Sequence, residues 1–165
     1  MELHNKDDLR IVGVPYGHPD AVGLIARVQQ VYVELYGTED VTPMGPDDFT
    51  PPSGLFVVGY RGGEAVACGA WRAHDGPAPD FLAGDAEIKR MYVTEAARGR
   101  GYARMILREL ERTAVLSGRK RAVLETGTKQ PAAIALYTSS DYTEIPKFGL
   151  HTGMPEIVCY GKTLC

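Results

Sequence analysis

Residues 98–103, with the sequence RGRGYA, combine residue types that are suited to binding an anion. Gly99 and Gly101 stand where the apolar spacing of a helix is about to begin, although glycine inside a helix costs about 1 kcal/mol relative to alanine. The first turn of a helix presents backbone N–H groups without internal partners and a partial positive charge. Two glycines at such an entrance therefore favour an anion that approaches the backbone closely. Three arginines would add charge around it: Arg98, Arg100 and Arg104.

The same run of glycines and arginines is also compatible with a plain surface turn whose arginines are solvated, and this turn remains the alternative to an anion site. A Walker loop is excluded because no Gly-Lys-Ser/Thr follows, and the glycine spacing of the Rossmann dinucleotide-binding loop is absent. If an anion binds here, the sequence therefore predicts a site of another kind.

The cysteine content and the apolar segments bear on metal binding and location. Cys68, Cys159 and Cys165 form no C-x-x-C pair and are odd in number, so neither a zinc site nor a disulfide framework is predicted. No stretch reaches about 18 uninterrupted apolar residues, and the N-terminal MELHNKDDLR has no apolar core of a secretion signal. We therefore expect one soluble cytoplasmic domain over residues 1–165, with reduced thiols and no metal.

The charges are distributed unevenly along the chain. The net charge of −3 gives no general reason to expect nucleic acid or a membrane surface as a partner. Residues 89–121, however, carry ten of the eighteen lysines and arginines, whereas residues 28–60 contain no basic residue. Five acids lie in that second region: Glu34, Glu39, Asp40, Asp47 and Asp48. One region could thus attract an anion and the other a cation.

Hydrophobic periodicity predicts the elements that must position these residues. Strand, helix, strand and helix over residues 86–142 favour a parallel strand pair inside a mixed sheet that hairpins complete. The proline-rich segment 38–54 is predicted to be too polar and broken to join a core. The predicted elements are a strand at 8–14, a helix from Pro19 to Gly37, a hairpin around RGGE at 61–64, a strand at 86–93, a helix from Gly101 to Ser117, a strand at 121–127, a helix from Pro131 and two short strands near the C-terminus.

The strand at 86–93 contains an irregularity. Its apolar residues Ala86 and Ile88 are at even positions, whereas Met91 and Val93 are at odd positions. Because strand side chains alternate between the two faces, the pattern slips by one residue, and a β-bulge near Lys89 and Arg90 would absorb the slip. A strand that is buried on both faces is the alternative.

Two segments resemble the signatures of the GNAT superfamily of N-acetyltransferases. RGRGYA, after the strand IKRMYV, matches R/Q-x-x-G-x-G/A, and TKQPAAIALYTSSDY is similar to N-x-x-A-x-x-x-Y-x-x-x-G-F. The resemblance extends over nearly the whole chain, and in more detail the chain is similar to a bacterial branch of the superfamily. It implies an α/β (α+β) fold with a mixed, mostly antiparallel sheet of six or seven strands, a splayed parallel pair, and helices on both faces. Gln130 in place of asparagine and Asp141 in place of glycine depart from the second signature.

The resemblance implies acetyl-CoA as the cosubstrate. In the family, the backbone of the glycine-rich loop holds the pyrophosphate, and the main chain of the preceding strand binds the thioester carbonyl and the pantetheine. The bulge would open the sheet for that arm. The positions that correspond to cofactor-binding ones are Met91, Tyr92, Val93, Arg98, Gly99, Arg100, Gly101, Tyr102, Ala103, Gln130 and Tyr137.

Transfer to an amine requires removal of a proton from nitrogen and donation of one to the leaving thiolate. Glu87 resembles the catalytic glutamate of histone-acetylating members, and an ion pair with an arginine of a neighbouring strand is its alternative. Glu125 is the second candidate, as base or substrate anchor. Tyr137 matches the family's general acid, with a packed core tyrosine as the alternative. The backbone N–H of Met91 would stabilise the oxyanion.

The predicted function is acetyl transfer to a primary amine of a small molecule or peptide in a ternary complex. Segment 38–54, the first helix and the tail around Phe148 and His151 are expected to select the acceptor. The acids there favour a cationic amine, with solvated loop acids as the alternative. Trp71, Tyr32 and Tyr36 are assigned either to this pocket or to the core. The alternative functions are an inactive acyl-CoA sensor and an interaction scaffold. The resemblance also implies that the protein could form a homodimer.

Overall fold

The computed structural model describes residues 8–76 and 81–165. Most of the N-terminal segment considered for a secretion signal, and part of the connection before the strand at 86–93, lie outside these residues. The elements are β1 (Arg10–Val14), α1 (Pro19–Tyr36), β2 (Gly54–Arg61), β3 (Glu64–His74), β4 (Asp85–Val93), α2 (Tyr102–Leu116), β5 (Arg121–Gly127), α3 (Pro131–Ser139), β6 (Thr143–Ile145) and β7 (Ile157–Thr163), with short 3-10 helices at Pro46–Phe49 and Glu95–Ala97. The predicted order of strands and helices is confirmed.

The described strands form one seven-stranded sheet in the order β1-β2-β3-β4-β5-β7-β6. Among the strands of the described residues, only β4 and β5 pair in parallel, and all other neighbours are antiparallel. The prediction of a mixed, mostly antiparallel sheet with one parallel pair is therefore confirmed. No helix in the described residues is long and apolar enough to cross a bilayer.

Helices cover both faces of the sheet. On β2, Val57 faces the cluster that α2 covers, whereas its neighbours Phe56 and Val58 face the cluster beneath α1. The amphipathic pattern of α2 buries Ile106 and Leu110 completely, and each such side chain contributes about 1.5–3 kcal/mol through burial. The cluster beneath α2 also contains Trp71 and Tyr137.

The predicted bulge lies in β4. Cys68 pairs with Tyr92 and Ala70 with Lys89, so Gly69 of β3 faces two residues of β4 instead of one. Arg90 absorbs the extra residue with a φ of 58°, a value that is uncommon for residues other than glycine. A β-carbon at Gly69 would lie 2.7 Å from Ile106, so glycine is needed for α2 to pack here. The alternative also holds in part, since residues 85–90 are all buried.

The expectation that segment 38–54 stays out of the core is wrong. Phe49 of the Pro46–Phe49 turn is only 2% exposed. Its ring stacks on Tyr16 with centroids 5.2 Å apart and meets the edge of Phe56 at 6.3 Å. One large aromatic side chain in a polar segment therefore anchors that segment beneath α1, because the hydrophobic gain does not depend on the polarity of its neighbours.

Candidate active site

A split between β4 and β5 forms the centre of the site. The two strands pair only from Asp85 opposite Arg121 to Glu87 opposite Val123. The Arg121 guanidinium closes the paired end with two hydrogen bonds of 2.8 Å to the fully buried Asp85. Beyond Glu87 the ladder stops, and a cavity of about 480 Å³ lies along the unpaired parts of the strands.

Most of the predicted site residues line this cavity. Those that line it are Met91, Tyr92, Val93, Arg98, Gly99, Gly101, Tyr102, Ala103, Glu125, Gln130 and Tyr137. Glu87 and Arg100 are not among its lining residues. Of the three aromatic residues considered for the acceptor pocket, Tyr32 and Tyr36 line the cavity, whereas Trp71 is a core residue that donates to Thr113 Oγ1 at 3.0 Å.

The glycine-rich loop leads into α2 without a side-chain cap. Gly99 and Gly101 have φ values of 78° and 82°, the left-handed conformation that glycine adopts without strain. A β-carbon at either position would meet no atom within 4 Å, so the backbone angle accounts for both glycines. The first backbone hydrogen bond of this turn runs from Met105 N–H to the Gly101 carbonyl at 3.1 Å. Backbone amides ahead of Met105 can therefore meet an anion.

Two of the three predicted arginines brace this loop. Arg98 donates from Nε to the Val93 carbonyl at 3.0 Å, and its guanidinium lies 5.8 Å from the Tyr92 ring centroid. Arg104 donates to Ser140 Oγ at 2.9 Å and to Ser139 Oγ at 2.8 Å. The Arg98 contact joins the loop to the end of β4, and the Arg104 contacts join the start of α2 to the end of α3. The arginines thus fix the loop besides adding charge.

Tyr137 projects from α3 into the wall of the cavity. Its side chain is buried, and its ring meets Tyr142 in an edge arrangement at 5.7 Å. Burial raises the pKa of the Tyr137 hydroxyl above its usual value, so the group keeps its proton at neutral pH. Asp141, which follows this helix in place of the usual glycine, adopts a φ of 71°, a left-handed conformation that aspartate tolerates. The hydroxyl is therefore in the protonated form that a proton donor requires.

Gln130 holds α1 against the opening of the cavity. The Tyr36 hydroxyl donates to Gln130 Oε1 at 3.2 Å. A β-carbon at Gly127, at the end of β5, would overlap the Tyr36 ring. Glutamine in place of the usual asparagine thus contacts the first helix.

Glu87 is held in a network of basic side chains. Its Oε1 accepts from Arg72 Nε at 2.8 Å and lies 2.9 Å from His74 Nε2. Burial would raise the pKa of Glu87, which is 3% exposed, but His74, Lys89 and Arg72 together lower it below its usual value. The ion pair with an arginine of the neighbouring strand, one of the two interpretations of Glu87, is present.

Asp40 forms a charge cluster that no local motif of the sequence indicates. Asp40 Oδ2 lies 3.0 Å from both Lys89 Nζ and Arg90 Nη1, whose side chains are 6% and 3% exposed. Burial would raise the pKa of Asp40, but Lys89 and hydrogen bonds from Thr42 lower it well below its usual value. The bulge and the burial together create this contact. The one signal in the sequence is the uneven distribution of acids and bases along the chain.

Glu125 is paired with His151, a residue that the sequence places only in a loop near the acceptor. His151 Nδ1 lies 3.0 Å from Glu125 Oε1, and both residues line the cavity. Phe148, expected beside the acceptor, instead packs in a core cluster with Val123 and Cys159. Within the described residues, no group of three potential ligands is arranged to hold a metal ion.

Comparisons with known proteins agree with this architecture. A sequence profile described as the Acetyltransferase (GNAT) family matches residues 24–142. A curated IAA acetyltransferase of Azospirillum brasilense is 33% identical over 128 residues, which cover 78% of this chain and 80% of that protein. The profile match spans both the glycine-rich loop and α3.

Solved structures of other proteins share the fold. A Klebsiella pneumoniae protein described as a candidate acyl-CoA N-acyltransferase is 27% identical, with a TM-score of 0.78 over 96% of this chain and 99% of its own. A GNAT-family acetyltransferase of Staphylococcus aureus, 13% identical, has a TM-score of 0.71 over 96% of this chain and 100% of its own. Profile, relatives and sheet topology agree, and the chain belongs to the GNAT family of acetyltransferases.

Proposed function

We propose that this protein, an acyltransferase by family, is an acetyl-CoA-dependent N-acetyltransferase that passes the acetyl group directly to a primary amine in a ternary complex. The observation that carries the proposal is that the β4–β5 split and the N-terminus of α2, which has no side-chain cap, border one cavity that Tyr137 also lines. An elongated thioester with a diphosphate fits this combination of an anion-binding turn and a gap in the sheet.

The cofactor roles follow from the position of the lining residues. Backbone amides of the loop at 99–103 would hold the diphosphate, and Gln130 would contact the pantetheine arm. Met91 and Val93 on the open side of β4 would pair through their main chains with the arm and the thioester. The Val93 carbonyl already accepts a hydrogen bond from Arg98. The ligand would therefore bind to other main-chain groups between Met91 and Val93. The Met91 N–H would then stabilise the oxyanion.

Tyr137 would donate a proton to the departing thiolate. Its burial and its raised pKa support this role, because a protonated hydroxyl is the form that can donate. Of the two glutamates, the geometry supports Glu125 over Glu87 as a member of the group that removes the proton from the amine. Glu125 lines the cavity, whereas Glu87 is engaged by Arg72 and His74 and lies outside the lining.

The acceptor would be a primary amine with an apolar body. Tyr32, Tyr36 and Met154 line the cavity and offer apolar surface. Asp40 and Asp48 form ion pairs with basic side chains, so these two acids give less support to a cationic acceptor than the sequence suggested.

The free thiols of the buried Cys68 and Cys159 support a cytoplasmic location.

Steady-state kinetics with an amine panel tests this function. Purified protein with acetyl-CoA and each amine should lose thioester absorbance only when an amine is present, and mass spectrometry should detect the acetylated amine. The exposed Cys165 makes thioester absorbance a better signal than a thiol reagent. Intersecting double-reciprocal lines indicate a ternary complex, whereas parallel lines would overturn direct transfer. Acetyl-CoA binding without any turnover would instead support an inactive sensor.

A further inference from the structure

We infer that His151, positioned by Glu125, is the general base that removes the proton from the acceptor amine. The inference rests on the proposed N-acetyltransferase activity and deepens it by assigning the proton acceptor. Its starting observation is the 3.0 Å contact between His151 Nδ1 and Glu125 Oε1 inside the cavity that also contains Tyr137.

The contact fixes which imidazole nitrogen is available. The oxygens of a glutamate carboxylate accept hydrogen bonds, so in the proposed arrangement Nδ1 of His151 carries its proton and donates a hydrogen bond to Glu125. Nε2 then keeps its lone pair and can accept a proton. A carboxylate in this arrangement also stabilises the imidazolium that forms after proton transfer. Glu125 is therefore a positioning residue, and His151 is the residue that touches the acceptor.

The loop that carries His151 is anchored on both sides. Phe148 is buried in the core three residues earlier. The Met154 N–H donates to the His151 carbonyl at 3.0 Å, and Lys147 Nζ donates to the Met154 carbonyl at the same distance. These contacts fix the backbone of the loop, and the contact with Glu125 orients the imidazole. A side chain that is oriented before a ligand binds lowers the cost of reaching the reactive geometry.

His151 is the side chain that hydrogen bonds to the Glu125 carboxylate. Glu125 Oε2 is buried and has no hydrogen-bond partner among the described residues, and Lys89 Nζ is 3.9 Å from Oε1. His151 is thus the nearest hydrogen-bonding partner in the described structure. The His151 side chain is 22% exposed, so a proton that it accepts can pass to solvent.

The transfer balances with these groups. His151 Nε2 takes one proton from the ammonium form of the acceptor and releases it to solvent. The free amine attacks the thioester carbonyl carbon, a C–N bond forms, and the C–S bond breaks as the tetrahedral adduct collapses. Tyr137 gives its proton to the departing thiolate, and the second proton lost from nitrogen restores the Tyr137 hydroxyl. The net products are the acetamide, free CoA and one proton.

Substitution of His151 with a matched neighbour as control tests the inference. With acetyl-CoA and phenethylamine, spermidine or Nα-blocked lysine as acceptors, we expect His151→Ala to lower kcat/KM roughly 100-fold or more, the usual range for a lost general base. Thr152→Ala, an exposed neighbour outside the cavity, should retain the wild-type value. Added imidazole should restore part of the His151→Ala rate, which a purely structural defect would not allow. A His151→Ala rate within about threefold of wild type would overturn the inference.

The positioning role of Glu125 can be tested by NMR spectroscopy in the absence of an acceptor amine. Nitrogen-15 NMR of histidine-labelled protein should show the neutral His151 ring protonated on Nδ1, and Glu125→Gln should shift the population toward Nε2-H. A wild-type ring protonated on Nε2 would overturn the assignment. Titration with CoA, together with the acetylation assay, distinguishes failure of the base assignment from failure of the proposed function. If wild type and His151→Ala both bind CoA and acetylate an amine at equal rates, only the assignment of His151 as the base fails. If wild type acetylates no amine, both the proposed function and the base assignment are overturned.

Discussion

Lys89 and Arg90 are consecutive residues of β4, yet both side chains lie on the same face of the sheet. Each places a nitrogen 3.0 Å from the same oxygen, Asp40 Oδ2. In a regular strand one of them would point to the opposite face, and the bulge with its left-handed Arg90 removes that alternation. The irregularity that opens the sheet also brings two buried cations onto one carboxylate of the segment after α1.

Removal of this carboxylate should destabilise the fold. We expect Asp40→Asn to lower the free energy of unfolding by about 3 kcal/mol, because Lys89 and Arg90 would lose the carboxylate that each contacts at 3.0 Å. The carboxylates of Glu87 and Glu125 lie farther from Lys89, at 3.9 Å. The exposed Asp47→Asn in the same segment should change it by less than about 0.5 kcal/mol. Urea denaturation measures both values. Equal stability of the two variants would contradict the role of Asp40.

Acid should weaken the fold through Asp40 and Glu87. Both carboxyls have a folded-state pKa below their ordinary values of 3.8 and 4.5, so the stability they add is complete above those values and is lost as pH falls through the lowered pKa. The free energy of unfolding should therefore decrease as pH falls below about 4.5. Urea titrations between about pH 3 and 7 should show a shallower decrease for Asp40→Asn than for wild type. An identical slope for both proteins would exclude this contribution.

Loss of the Tyr137 hydroxyl should affect turnover more than binding. We expect Tyr137→Phe to lower kcat about 100-fold while the Kd for acetyl-CoA stays within about twofold, because the role proposed for the hydroxyl is protonation of the leaving thiolate. Tyr142→Phe is the matched control. It removes a buried hydroxyl that bonds Glu111 at 2.8 Å and should cost about 1 kcal/mol of stability without lowering kcat. Equal turnover of wild type and Tyr137→Phe would remove Tyr137 from the mechanism.

The glycine-rich loop can be tested with two alanine substitutions of equal strain. Gly99 and Gly118 both have a φ near 80° and open space around them, so Gly→Ala at either should cost about 1–2 kcal/mol of stability. Only Gly99→Ala lies at the proposed diphosphate site, and we expect it to weaken CoA binding about tenfold. Isothermal titration calorimetry measures the affinities. Similar CoA affinity for the two variants would argue against the loop as the anion site.

Some features of the candidate site were readable from local patterns. The spacing of Gly99 and Gly101 before an amphipathic run predicts an open helix N-terminus, because this needs only the residues of one turn. The slip between Ile88 and Met91 predicts a bulge for the same reason, since alternation along a strand is a local property. The parallel pair follows from the order of strands and helices.

The pairing of charged side chains was not readable in the same way. Asp40 meets Lys89 across 49 residues of sequence, and Glu125 meets His151 across 26. Neither contact has a spacing or a periodicity that a local pattern could indicate. The burial of Phe49 was missed because the polarity of a segment does not report one anchored side chain.

The amino-acid sequence alone determined the order of elements, the mixed sheet with one parallel pair, the irregularity in β4 and the glycine-rich loop before α2. These depend on periodicity and backbone conformational preference, which act over a few residues. Only the tertiary structure decided that Glu87 faces Arg72 and that Glu125 faces His151. Those contacts depend on the register of β4, its bulge and the loop that Phe148 anchors, and each is fixed only when distant parts of the chain pack together.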